Sequence, residues 1–153
     1  MKKNNKIYYW ACDSLSNTGE GKLALFFLKD LREKSKIQKI NKRRTRITVL
    51  NKFLNLNYIL PFQGVYYCWK YYLKKKKISY VNYLPLWNFL IFLLLPPKTI
   101  IGPITGGAKY KNKFNLIRSL FFPLFYKISD VIINYRNYDL IFSTDLLKKY
   151  VSR

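Results

Sequence analysis

The chain has 153 residues, half of them hydrophobic and 18% aromatic, which is material for about one packed domain and excludes a disordered chain. Twenty-nine Lys and Arg against seven Asp and Glu give a formal charge of +22, so its surface attracts polyanions such as nucleic acid or anionic lipid. It has no histidine, which excludes serine–histidine and cysteine–histidine catalysis within the chain and removes the commonest metal ligand.

Most of the basic excess is Lys, and Lys accompanies abundant Asn, Ile, Tyr and Phe, a uniform bias that gives charge without a dedicated site. Cys12 and Cys68 are far apart and outside any CxxC, so they read as reduced core thiols. The apolar run 7–12 is too short for a signal peptide. The longest apolar stretch, 84–97, contains Asn88, ends in Pro96-Pro97 and falls short of the ~20 residues of a spanning helix.

In chain order, residues 6–12 read as a first strand. Residues 19–34 read as a helix, with Leu23, Phe27 and Leu31 recurring every fourth position, Glu20 near its start and Arg32 and Lys34 near its end. Residues 36–44 read as a basic connector and 46–50 as a second strand. Residues 57–73 form an aromatic-rich helix with Pro61 in its first turn. The lysine run 74–77 leads to a third strand over 78–83, then a short apolar helix over 86–95. A fourth strand over 98–105 ends at Gly106-Gly107. Residues 114–133 form a long helix bent at Pro123. A fifth strand over 139–143 precedes a helix that starts at Asp145 and is capped by Thr144 or Ser143. That helix has barely begun at Arg153, and the chain reads as truncated there. Strands alternating with helices predict an α/β fold, a Rossmann-like parallel sheet of about five strands with helices on both faces. Ligands bind such sheets at the carboxyl ends of the strands.

Four segments stand out. The loop 14–21 follows a strand and opens a helix, so Gly19, Glu20 and Gly21 place a glycine-lined helix N-terminus where an anion can approach. Gly19, Gly21 and Ala24 fit a dinucleotide fingerprint, but Asn51 stands where an acidic residue belongs, and a plain tight turn is the bland alternative. Gly102-Pro103-Ile104-Thr105-Gly106-Gly107 presents bare N–H groups to a sugar or phosphate, or only reverses the chain. Asn82, Tyr83, Trp87 and Asn88 mix amides with aromatic faces, a chemistry suited to sugar rings, although such clusters are often core. Residues 66–77, aromatics running into four lysines, suit an anionic membrane interface or a solvated lysine face.

These residues carry a resemblance. The strand, glycine loop and helix of 7–31, the segment 82–107 with its Gly-Pro-x-x-Gly-Gly loop, and the closing 141–150 resemble the family-4-like N-terminal domain of GT-B glycosyltransferases. The resemblance spans nearly all of residues 1–153 and implies one Rossmann-like half of a two-domain enzyme. In that family the N-terminal domain holds the acceptor, a lipid-linked sugar or a polysaccharide. A C-terminal domain holds the nucleotide-sugar donor, commonly with a pair of closely spaced glutamates. Glu20 and Glu33 do not form such a pair, so the donor domain is expected outside these residues and the chain alone is expected to be inactive. By resemblance Gly19, Glu20 and Gly21 border the donor phosphates. Gly102, Thr105, Gly106 and Gly107 line the same cleft, and Asn82, Tyr83 and Trp87 contact the acceptor sugar. No cofactor and no metal is expected, no general base is assigned, and the protein is expected at the cytoplasmic face of an anionic membrane. The competing readings are a basic, non-enzymatic module for anionic membrane or nucleic acid, and an NAD-type oxidoreductase weakened at Asn51.

Overall fold

The computed structural model describes residues 6–12, 18–40, 60–105, 115–143 and 145–152. Five parallel strands form one sheet in the order β2-β1-β3-β4-β5: β1 (Lys6–Ala11), β2 (Lys36–Lys39), β3 (Lys77–Pro85), β4 (Ile100–Thr105) and β5 (Asp139–Phe142). Between them lie α1 (Gly19–Lys34), α2 (Leu60–Tyr72), α3 (Phe89–Leu94) and α4 (Asn115–Arg136), and a 3-10 helix, Asp145–Tyr150, follows β5. The expected α/β class and parallel sheet with helices on both faces are what the chain adopts.

Side-chain alternation along the strands builds two cores. Ile7, Tyr9 and Ala11 of β1 face α1, which answers with Ala24, Phe27, Leu28 and Leu31, one stripe at helical spacing. Trp10 points to the opposite face, where it joins Ile78 and Tyr80 of β3 beneath α2, α3 and α4. The topology explains why one helix covers the first face and three the second. Parallel crossovers are right-handed, and β1 to β2 runs one way across the sheet while β2 to β3, β3 to β4 and β4 to β5 run the other.

Two details differ from the sequence reading. Residues 36–39 are not part of a connector but an edge strand, paired with β1 in the register Lys6↔Lys36 and Ile7↔Ile37. Three of its four residues are exposed, so its side chains carry no apolar pattern and only backbone pairing reveals it. The apolar helix expected over 86–95 is confined to α3, after a turn through Leu86 and Trp87. The strand expected over 46–50 lies outside the described residues, as does Thr144. The long fourth helix runs through Pro123.

Candidate functional site

The strand order reverses at β1. The chain leaves β1 toward β2 on one side, and β3 lies on the other, so the switch point where sheets of this kind hold ligands falls between the carboxyl ends of β1 and β3. Cys12 extends that edge by donating its N–H to the Val81 carbonyl at 3.2 Å. The start of α1 follows the carboxyl end of β1 on one side of this point. Thr18 stands at its N-cap in an extended conformation and accepts from the Gly21 N–H at 2.9 Å, while its carbonyl accepts from Lys22 N–H. The N–H groups of Gly19 and Glu20 belong to the first helical turn and have no intrahelical acceptor. A Cβ added at Gly19 would meet nothing within 4 Å. Gly21, by contrast, is buried in the first turn.

The other side is a bulge in β3. Val81 pairs with Gly102 and Leu84 with Ile104, so Asn82 and Tyr83 together oppose Pro103. Pro103 has no N–H to give the ladder, which accounts for the irregularity there. A bulge of this kind re-aims side chains near the end of a strand. Asn82 is half-buried, and its Nδ2 donates to the Tyr80 hydroxyl at 3.4 Å. That hydroxyl in turn donates to the Pro61 carbonyl at 3.2 Å. Burial pushes the Tyr80 phenol well above its ordinary value, with the Asn82 hydrogen bond partly opposing this, so Tyr80 remains a protonated donor and is no base.

Thr105 ends β4 beside this bulge. It pairs with Pro85, and its carbonyl accepts from the Leu86 N–H at 3.2 Å. Its Oγ1 is buried and has no hydrogen-bond partner among the described residues, a condition it shares with Ser79 Oγ inside β3. Such an atom costs about 1–3 kcal/mol until it finds a partner.

Two expected site residues lie elsewhere. Gly102 is no ligand loop: it sits inside β4, where a Cβ would strike the Phe27 ring of α1 and come within 2.8 Å of the Ile141 carbonyl. Its smallness lets α1 lie close on the sheet. Trp87 leaves β3 toward the helical layer, and its ring stacks on Phe122 of α4 with centroids 5.6 Å apart. Asn88 stands at the N-cap of α3 without a capping hydrogen bond from its side chain. The side chains of Glu20 and Tyr83, and all of Gly106 and Gly107, lie outside the described residues. The site residue that sequence reasoning passed over is Thr18. Its signal was available as a Thr directly before a helical run.

Cys68 is no nucleophile, being fully buried with its thiol pushed far up by desolvation, and Cys12 is half-buried beside the carboxyl end of β1. Among the described residues no group of three His, Cys, Asp or Glu side chains could hold a metal ion. Comparisons of the chain with known protein families, with curated proteins and with solved structures each find no match.

Proposed function

We propose that the chain is the acceptor-binding half of a glycosyltransferase that moves a sugar from a nucleotide-sugar to a lipid-linked or polysaccharide acceptor. The observation that carries this reading is the strand-order reversal at β1, with the N-terminus of α1 and the β3 bulge at Asn82 beside it. Its chemistry suits hydroxyl-rich ligands. Asn82 offers an amide, and the first turn of α1 offers N–H groups with a positive dipole end toward an anion. The resemblance of 7–31, 82–107 and 141–150 to family-4-like GT-B domains supports the same assignment. In this reading a C-terminal domain supplies the nucleotide-sugar, and no residue described here acts as a general base.

Two measurements test the proposal. In saturation-transfer NMR, neutral oligosaccharides should bind the folded chain, and Asn82→Ala should remove the signal while circular dichroism stays unchanged. In a transfer assay with labelled nucleotide-sugar and membrane lipid, the chain alone should give no product and the chain joined to a donor-binding domain should give product. Turnover by residues 1–153 alone would overturn the half-enzyme reading.

A further inference from the structure

Helix α4 is apolar on two opposite sides. Phe122, Tyr126 and Ile133 point into the core. Phe121, Leu124, Val131 and Tyr135 recur at the alternating spacing of three and four on the far side, with half-buried Ile128 between them, and they face outward, Val131 at 67% and Tyr135 at 87% exposure. Helix α3 continues the band with Leu90 and Leu93, both exposed, and Arg136 ties the two helices by donating to the Leu93 carbonyl at 3.2 Å. Helix α2 lies against α3 through the Trp69 indole N–H, which donates to the Leu94 carbonyl at 2.8 Å. Leu73, directly after its last residue, is 75% exposed. Exposed apolar side chains gathered on adjoining helices in this way mark an interaction surface.

The charges around that face are one-sided. The sequences of α2 and α3 hold no acidic residue, and α4 holds only Asp130, whose carboxylate accepts from Asn134 and from both the N–H and the hydroxyl of Ser152. Where α2 and α3 end, the amino ends of the strands form a row of cations. Lys6 pairs with Lys36 and Ile7 with Lys77, so these lysines begin three neighbouring strands, about 4.8 Å apart from one strand to the next. Lys75, Lys76, Lys77 and Lys98 line an open cleft of about 770 Å³ beside Leu73, and Asp139 is the one acid among its lining residues. The ion pairs of the described residues are Lys34–Asp30 and Lys148–Asp145, neither of them in this cleft.

We propose that the outer face of the α2–α3–α4 layer docks on an anionic membrane surface, with side chains of α3 and α4 at the headgroup–acyl boundary and the lysine edge on lipid phosphates. The proposal stands independently of sugar transfer. Aliphatic groups such as Leu90, Leu93, Leu124 and Val131 insert into an acyl boundary but offer a nucleobase no face to stack on. A second copy would bring two basic rims together at a net charge of +22 each, an arrangement that repels. No helix among the described residues is long and apolar enough to cross a membrane, so contact is by a face rather than a span.

Flotation of the purified chain with phosphatidylcholine vesicles, with and without one-third phosphatidylglycerol, tests this. The chain should float with the anionic vesicles and not with the neutral ones, and brominated lipid should quench the tryptophan fluorescence of the bound chain. Val131→Asp, at an exposed position, should cut the partition coefficient by roughly tenfold, and Lys75→Gln, Lys76→Gln or Lys98→Gln by about fivefold each. Phe26→Asp, equally exposed but on α1 at the opposite face, should bind as the parent does, with melting temperatures as the folding control. Three results would overturn the proposal: anionic binding untouched by Val131→Asp, dimerisation by sedimentation velocity that Val131→Asp abolishes, or tighter binding to a single-stranded oligonucleotide than to vesicles at matched salt.

Discussion

The Phe27 ring of α1 lies directly over the α-carbon of Gly102 in β4, with the Ile141 carbonyl on the neighbouring strand 2.8 Å from where a Cβ would stand. Helix and sheet meet there with no room for a methyl group. Gly102→Ala should therefore destabilise the fold by about 2–3 kcal/mol through overpacking, read from chemical denaturation. Combining it with Phe27→Leu should recover part of the loss, because the two sites share one space and their effects do not add. Recovery should be incomplete, since the Ile141 carbonyl belongs to the backbone and cannot give way.

Gly64 poses the same question on the other face. A Cβ there would come within 2.5 Å of the Trp10 indole, which is itself buried and stacked on Tyr80 with ring centroids 5.1 Å apart. Alanine favours a helix interior by up to ~1 kcal/mol over glycine, yet the indole has nowhere to move. Gly64→Ala should lower stability by about 1–2 kcal/mol, the overpacking term exceeding the helical gain. A thermal melt that rose instead would show that α2 can slide on β1.

The layering of the fold was legible because its signal is apolar periodicity. The stripe through Phe27 and Leu31 gave α1 to the residue, and the run after Lys98 gave β4. What stayed hidden depends on partners distant in sequence. Strand β2 buries nothing fully, so its Lys-Ile-Gln-Lys looks like any solvated connector until β1 pairs with it. Gly102 and Trp87 were assigned to a ligand by their residue types. The ring that needs Gly102 small lies on α1, and the ring that stacks on Trp87 lies on α4, neither near in sequence. The irregularity at Asn82 was hidden in the same way, since the bulge there depends on Pro103 of the neighbouring strand.

Alkali should unfold the protein through three buried groups. Burial raises the Cys68 thiol from its ordinary 9.0 and the Tyr80 and Tyr138 phenols from 10.0, with the Asn82 hydrogen bond and the charge of Arg136 partly opposing it at the two tyrosines. The folded chain keeps these protons at a pH where the unfolded chain releases them. Their contribution is complete below the unfolded values and is lost as pH rises past them. Stability should hold to about pH 8 and then fall, each group adding a slope of about 1.4 kcal/mol per pH unit. Tyr138→Phe should flatten the curve above pH 10 by one such increment. It should also cost stability at pH 7, because the Tyr138 hydroxyl lies 2.7 Å from the Phe92 carbonyl and 2.6 Å from that of Leu95. Urea midpoints across pH 7 to 11 supply the curve.

The start of α1 separates a folding role from a binding role within two residues. Thr18 holds the Gly21 N–H, so Thr18→Ala should cost about 1 kcal/mol, and Thr18→Ser should restore most of it. Gly19 has no such duty: it is exposed, and a side chain added there meets no neighbour within 4 Å. Gly19→Val should therefore change stability by no more than about 0.5 kcal/mol, as surface substitutions do. Its Cβ branches would nonetheless stand over the first N–H groups of the helix, where the proposed ligand approaches. Given a donor-binding domain, sugar transfer to membrane lipid should drop at least tenfold in Gly19→Val while the urea midpoint holds. Thr18→Ala should show the reverse balance, a lower midpoint with transfer reduced only as far as unfolding accounts for. Full transfer by Gly19→Val would place the ligand away from α1 and remove that helix from the proposed site.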